Sequence, residues 1–180
     1  FLKPHHLKIR QAKPDFIVAS LYEAETVNFL KDLKKYGITD IPVMGAAGTD
    51  LENTLARIGD IDTVKNYYVP HAFIDTVDGP GMQKWNDMIL KYYPGETITG
   101  FSYVSIGSAV AVVEALKNAG SDLTREKFIA EMDKIKNFDT GIFATNITWA
   151  ADDRHGVKES AVAGFVDGKP TVMKSWNQPM

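Results

Sequence analysis

The sequence contains no cysteine. Disulfides, thiolate metal sites and cysteine nucleophiles are therefore excluded together. No apolar run reaches the roughly 18–20 residues that a helix needs to cross a bilayer. No apolar leader core follows Phe1, and a start at a residue other than Met reads as a processed or truncated end. An excess of positive charge is also lacking: the net charge of -3 gives no electrostatic reason for a nucleic-acid or anionic-membrane partner. Gly45-Ala46-Ala47-Gly48 lacks the Lys-Ser/Thr ending of a phosphate loop, and it is not a Gly-x-Gly-x-x-Gly dinucleotide fingerprint. Ser20, His71 and Asp75 are the residue types of a nucleophilic triad, but no Gly-x-Ser-x-Gly elbow accompanies them. An enzyme is not expected.

What is present is an ordinary globular mixture. The 180 residues are 44% hydrophobic and 24% charged, enough to build a core in one domain or two small lobes. Phe1 to Ala12 reads as an amphipathic helix ended by Lys13-Pro14, because the residue before proline avoids the helical region. Phe16 to Ala19 is an apolar run of the buried-strand type. The spacing of Val27, Leu30 and Leu33 predicts a helix over Glu23–Tyr36, with acids in its first turn, lysines in its last and Gly37 as its cap. A strand over Ile41–Met44 follows, then a small-residue loop over Gly45–Asp50 and a helix over Leu51–Ile58. A third strand is expected over Lys65–Val69, and helices over Met82–Tyr93, Ser102–Ala119 and Arg125–Ile135. Gly141–Trp149 and Ala161–Val166 read as strands, and Asp167-Gly168 is a hairpin signal returning the chain through Thr171–Lys174. Strands alternating with helices predict an α/β fold with a parallel sheet covered on both faces.

Several segments, in their order, carry a resemblance. They are Lys13-Pro14-Asp15-Phe16-Ile17-Val18, Tyr22, Tyr36-Gly37, Pro42-Val43-Met44-Gly45, Glu114 to Ser121, Phe138-Asp139-Thr140-Gly141 and Asp167-Gly168-Lys169. Together they resemble the leucine/isoleucine/valine-binding proteins, type I periplasmic solute-binding proteins of ABC transporters. The resemblance implies α/β lobes of the type I periplasmic binding protein fold, each a three-layer parallel-sheet lobe. Only the C-terminal half of the family's length is matched. Residues 1–70 and 160–180 would then belong to the C-terminal lobe, with 71–159 returning to the N-terminal lobe. The hinge strands would lie near Val69–His71 and Glu159–Ala161. The implied partners are a small-molecule ligand, the transporter's permease subunits and the missing N-terminal half of the same protein, in the periplasm.

In open α/β sheets, ligands bind beyond the carboxyl ends of the strands. Two loops meet that rule: Ser20-Leu21-Tyr22 and Gly45–Asp50. The resemblance places Tyr22 where the family has a ligand-facing tyrosine, and Phe101 where it has an aromatic wall, with Tyr103 nearby. The expected ligand-binding set is Leu21, Tyr22, Ala46, Ala47, Gly48, Phe101 and Tyr103. Ala47 is the departure, since the amino acid binders carry an acid there for the ligand's ammonium. An ammonium closed in without a counter-charge is costly, so the expected ligand is an aromatic or aliphatic carboxylate without a free α-amino group.

No metal site or cofactor is expected. His5 and His6 are adjacent and point to different helix faces, and Asp152, Asp153 and His155 read as a polar turn. The alternative function within the same fold is an amino acid or amide-binding sensory domain.

Overall fold

The computed structural model describes residues 3–46 and 49–177. The chain divides into two compact units: Phe1–His71 with Ala161–Lys174, and Ala72–Ser160 with Ser175–Met180.

The first unit opens with helix α1 (Lys3–Ala12), strand β1 (Ile17–Val18) and helix α2 (Glu23–Lys35). Helix α2 buries Val27, Leu30 and Leu33 at helical spacing. Its end is a Schellman closure. Gly37, at φ +69, donates to the Lys34 carbonyl, and the Ile38 N–H reaches back to the Leu33 carbonyl. Strand β2 (Val43–Met44), helices α3 (Leu51–Ile58) and α4 (Ile61–Val64) and strand β3 (Tyr67–His71) follow. Helix α4 was not expected from the sequence. The Asp60 carboxylate starts it by accepting from the Asp62 N–H, an ordinary N-cap.

Strands β1, β2 and β3 pair in parallel, with Ile17 opposite Val43 and Val43 opposite Tyr67. Strand β4 (Glu159–Val166) then adds to β3 in the antiparallel sense, with Val69 opposite Ala163. Strand β5 (Lys169–Asn177) completes the order β1-β2-β3-β4-β5. The sheet is therefore mixed rather than wholly parallel. Asp167 and Gly168 both take positive φ, 49 and 76, as a tight type I′ hairpin turn requires. Leu30, Leu33, Val43, Leu51, Val64 and Tyr67 form the heart of the core.

The second unit holds a 3₁₀ turn (Pro80–Met82) and helices α5 (Gln83–Tyr92), α6 (Gly100–Ala119) and α7 (Arg125–Met132). Helix α6 buries Tyr103, Gly107, Ala111, Ala115 and Ala119, one residue in four along a single face. Gly107 is required by its neighbour, since a Cβ there would lie 2.7 Å from the Phe143 ring. The strand expected over Gly141–Trp149 is absent; only isolated bridges pair Phe73 with Phe143 and Phe138 with Ile147. The cause is a side-chain-built turn. Asp139 accepts from the Gly141 N–H, and the Thr140 hydroxyl accepts from the N–H groups of Ile142 and Phe143. These bonds satisfy donors that a strand would have offered to a ladder. Ile142, Phe143 and Ile147 still enter the core, and that burial is why the segment mimics a strand in sequence.

Two predictions follow from the first unit. Leu30 is 3% exposed, so Leu30→Ala should cost about 2–5 kcal/mol, read as a lower urea midpoint. Lys34, with the Thr63 hydroxyl, holds the Asp60 carboxyl down at about 2 against an ordinary 3.8. A depressed carboxyl stabilises the folded state fully above its unfolded value and loses that contribution as pH falls through its folded one. Asp60→Asn should therefore flatten the fall in stability between about pH 4 and pH 2, measured by thermal unfolding across that range.

Candidate functional site

Parallel pairing sends the chain out of β1 and β2 at the same end of the sheet. The ladder continues one step into each loop: Ala19 donates to the Met44 carbonyl and Gly45 to the Tyr68 carbonyl, both at 2.8 Å. The two loops, Ala19–Tyr22 and Gly45–Asp50, thus leave adjacent strands in register.

The expected residues divide sharply. Leu21 is half-buried against the first unit's core. Tyr22 occupies the N-cap position of α2 in an extended conformation, and its side chain is 76% exposed. Ala46 is half-buried, and its carbonyl accepts from the Thr49 hydroxyl at 2.9 Å. Ala47 and Gly48 lie outside the described residues. Phe101 and Tyr103 belong to the second unit, at the start of α6. Phe101 is 54% exposed and can offer its ring, whereas Tyr103 is fully buried. The Tyr103 hydroxyl donates to Asn86 Oδ1 at 2.6 Å, and its ring meets Phe73 edge-on at 5.5 Å. Tyr103 therefore fills the core of the second unit. Its position in the α6 stripe with Gly107 and Ala111 is the reason.

Sequence reasoning missed the residues that hold the loops. The Glu23 carboxylate accepts from the Thr54 hydroxyl at 2.9 Å through one oxygen and from the Asp50 N–H at 3.3 Å through the other. This ties the first turn of α2 to the first turn of α3, and negative charge is favourable at both helix starts. Asp50 in turn accepts from the Asn53 amide at 3.2 Å. The Tyr67 hydroxyl lies 2.9 Å from the Thr49 hydroxyl, and burial pushes the phenol up to about 12. A glutamate opening a helix that follows a strand was the one available signal; nothing local separates Tyr67 from Tyr68 beside it in β3.

Electrostatically the loops are acidic. Glu23, Glu25, Asp50 and Glu52 stand in or beside them, and no lysine or arginine occurs between Phe16 and Leu30 or between Val43 and Ala56. A groove of about 410 Å³ lies at the opposite, amino ends of β1 and β2, lined by Ile9, Arg10, Lys13 and the Gly37–Ile41 segment. It is away from the strand ends where such sheets bind ligands. Among the described residues no group of histidine, aspartate and glutamate side chains is arranged to hold a metal ion, and no helix is long and apolar enough to cross a membrane. His6 is buried between Phe29 and Tyr36, 5.2 and 5.5 Å from their rings. Asp75 accepts from the N–H groups of Thr76 and Gly81. Asp153 pairs with Lys158.

A sheet with helices on it, and paired loops at the carboxyl ends of its parallel strands, make an open α/β lobe. The family profile for periplasmic binding proteins matches residues 2–169, and the chain belongs to that family. Among solved structures it is similar to a leucine-binding protein from Thermotoga maritima, with 18% identity, a TM-score of 0.75, and coverage of 98% of this chain and 49% of that one. It is also similar to a branched-chain amino acid ABC transporter protein from Thermus thermophilus with bound valine, with 17% identity, a TM-score of 0.78, and 99% and 50% coverage. A third is a fatty acid ABC transporter substrate-binding protein from Thermomonospora curvata, with 19% identity, a TM-score of 0.81, and 98% and 47% coverage. The chain spans about half the length of these structures. No curated protein matches the sequence.

The Glu23 clasp makes a prediction. Glu23→Ala leaves the wholly buried Thr54 hydroxyl and the Asp50 N–H without their acceptor. It should destabilise the first unit by about 1–3 kcal/mol, seen as a lower unfolding temperature.

Proposed function

We propose that this chain belongs to the substrate-binding component of an ABC transporter of the branched-chain amino acid type, working in the periplasm and delivering a small solute to permease subunits. The observation that carries this reading is the Tyr22 ring. It stands 76% exposed at the carboxyl end of a parallel strand, on a loop whose base is fastened through Glu23 to its neighbour. A large aromatic surface left open on a rigid support is suited to cover the apolar part of a ligand.

The solute we favour is an aromatic or aliphatic carboxylate without a free α-amino group. Position 47, where the resemblance places the acid that pairs with a ligand's ammonium, is alanine, and Glu23 is anchored within the fold by a hydrogen bond to each of its oxygens. The acidic surroundings also repel a carboxylate. These loops therefore take the apolar end of the solute, and its carboxylate is held by groups elsewhere in the complete protein. Closure of the lobes on the solute would shift a pre-existing open–closed equilibrium, and no bond is made or broken. An amino acid ligand is the second reading, favoured by the same concentration of acids, Asp50 among them.

A thermal-shift panel of leucine, valine, isovalerate and benzoate on the full-length protein separates the two. A ligand at 100 times its Kd stabilises by about 2.7 kcal/mol. We expect isovalerate or benzoate to raise the melting temperature and the amino acids to leave it unchanged. The opposite pattern establishes the second reading, and a flat panel removes the receptor reading for these solutes. Tyr22→Ala should weaken binding of the active probe by about tenfold, equivalent to 1.4 kcal/mol, without changing the melting temperature of the unliganded protein. An unchanged affinity removes Tyr22 from the site.

A further inference from the structure

The row Ile17, Val43 and Tyr67 crosses the three parallel strands, and all three residues are buried. Two of them are aliphatic, and phenylalanine would fill the third position as well. The chain places a hydroxyl there instead, on a residue 1% exposed. An unpartnered hydroxyl in such a place is costly, so its partners matter.

The backbone of the loop after β2 rests directly on that hydroxyl: a Cβ at Gly45 would lie 2.0 Å from the Tyr67 oxygen. Glycine is what lets the loop descend so far. The next contacts run outward from the phenol toward the loop. The Thr49 hydroxyl has a single proton and donates it to the Ala46 carbonyl at 2.9 Å. With the proton so placed, the tyrosine donates across the 2.9 Å contact with Thr49, and Thr26 is a second hydrogen-bonding neighbour of the phenol. The result is a relay, Tyr67 O–H to Thr49 O–H to Ala46 C=O. It runs from the buried end of a core ring to the carbonyl of a loop residue, and each bond polarises the next. The Thr49 N–H also leans toward the same carbonyl at 3.4 Å.

We infer that Tyr67 is a positioning residue: through Thr49 its buried hydroxyl holds Ala46 and Thr49 in place in the chain that follows β2. The side chain touches no solute. It acts by holding the Ala46 carbonyl, and hence the face of the loop that carries Ala46, in one arrangement. Burial keeps the phenol protonated, and so a donor, throughout the neutral range. The Glu23 clasp fixes the loop's far end at Asp50, so the loop is held at both ends by groups from outside it. The consequence for solute affinity rests on the function proposed above; the hold on the loop does not.

Hydrogen exchange read by mass spectrometry on the full-length protein tests this directly. The variants are Tyr67→Phe, Thr49→Val and Thr49→Ser. Tyr67→Phe keeps the ring and the core while deleting only the donor, and Thr49→Val breaks both bonds of the relay. Both should speed exchange of peptides covering Gly45–Asp50 by about tenfold, the order set by one hydrogen bond. Peptides covering Ile17–Ala19 should be unaffected, and Thr49→Ser should behave as wild type. Loop exchange in Tyr67→Phe equal to wild type overturns the proposal. So does acceleration spread evenly over the first unit, which marks a merely structural hydroxyl. Titration of the same variants with isovalerate, benzoate and valine by calorimetry separates the two ideas. A loosened loop with affinity at least fivefold weaker for the probe that binds supports both. A loosened loop with affinity unchanged leaves Tyr67 in its positioning role and removes the loop from the solute site.

Discussion

Parallel pairing of β1, β2 and β3 in a single register is the constraint from which the rest of the first unit follows. It aligns Ile17, Val43 and Tyr67 across the sheet and gives α2 a continuous apolar floor for Leu30 and Leu33. It also delivers two loops to one end. Two-residue strands such as β1 and β2 have few ladder bonds of their own. Most of their stability must come from what packs on them, and the loops at their ends need separate fastening. The fastening is polar and local. A glutamate joins two helix starts, and a tyrosine–threonine relay supports the turn between β2 and α3. The two loops are fastened by groups that lie beneath them.

The second unit solves a different problem. Helix α6 is apolar over most of its circumference, and it packs inward through its smallest residues, which lets Phe143 approach where Gly107 stands. Its outward side keeps Phe101, Val104, Val112, Val113 and Leu116 between 38% and 54% exposed. The narrow, small-residue face explains why Tyr103 is wholly enclosed while Phe101, two positions earlier, is open. Two aromatic side chains that look equivalent in sequence differ because one helical face is buried and the other is not.

Much of the fold was legible in the sequence, and for physical reasons. Leu30 and Leu33 share a helical face, Gly37 must take a positive φ, and Asp167-Gly168 suits a tight hairpin; each of these signals is local, and each appears in the structure. The strand expected over Gly141–Trp149 was not realised, because Ile142, Phe143 and Ile147 are buried from a turn that Asp139 and Thr140 build. Burial alone does not distinguish the two outcomes. Helix α4 was missed because four residues give no periodicity, and its only signal is the Asp60 cap. At the site, Tyr22 was legible as a loop aromatic. Tyr67 and Thr49 were not, because their meaning lies in a contact across 18 residues that no local pattern announces.

The close approach of Gly45 to the Tyr67 oxygen binds two positions into one choice. Any substitution at 45 that brings a Cβ needs space that the phenol oxygen and two carbons of its ring fill, so it must be accompanied by a smaller, non-aromatic residue at 67. A phenylalanine at 67 would keep the ring carbons that a Cβ at 45 would meet at 2.7 and 2.9 Å, so glycine is still required beside it; only a residue without the ring frees position 45. Divergent lobes of this architecture are then expected to carry the pair or to lack it, and to exchange both members together. A lobe that has lost it would have to shape the same turn by other means, which gives such proteins a route to retune what they bind without altering any residue that touches it.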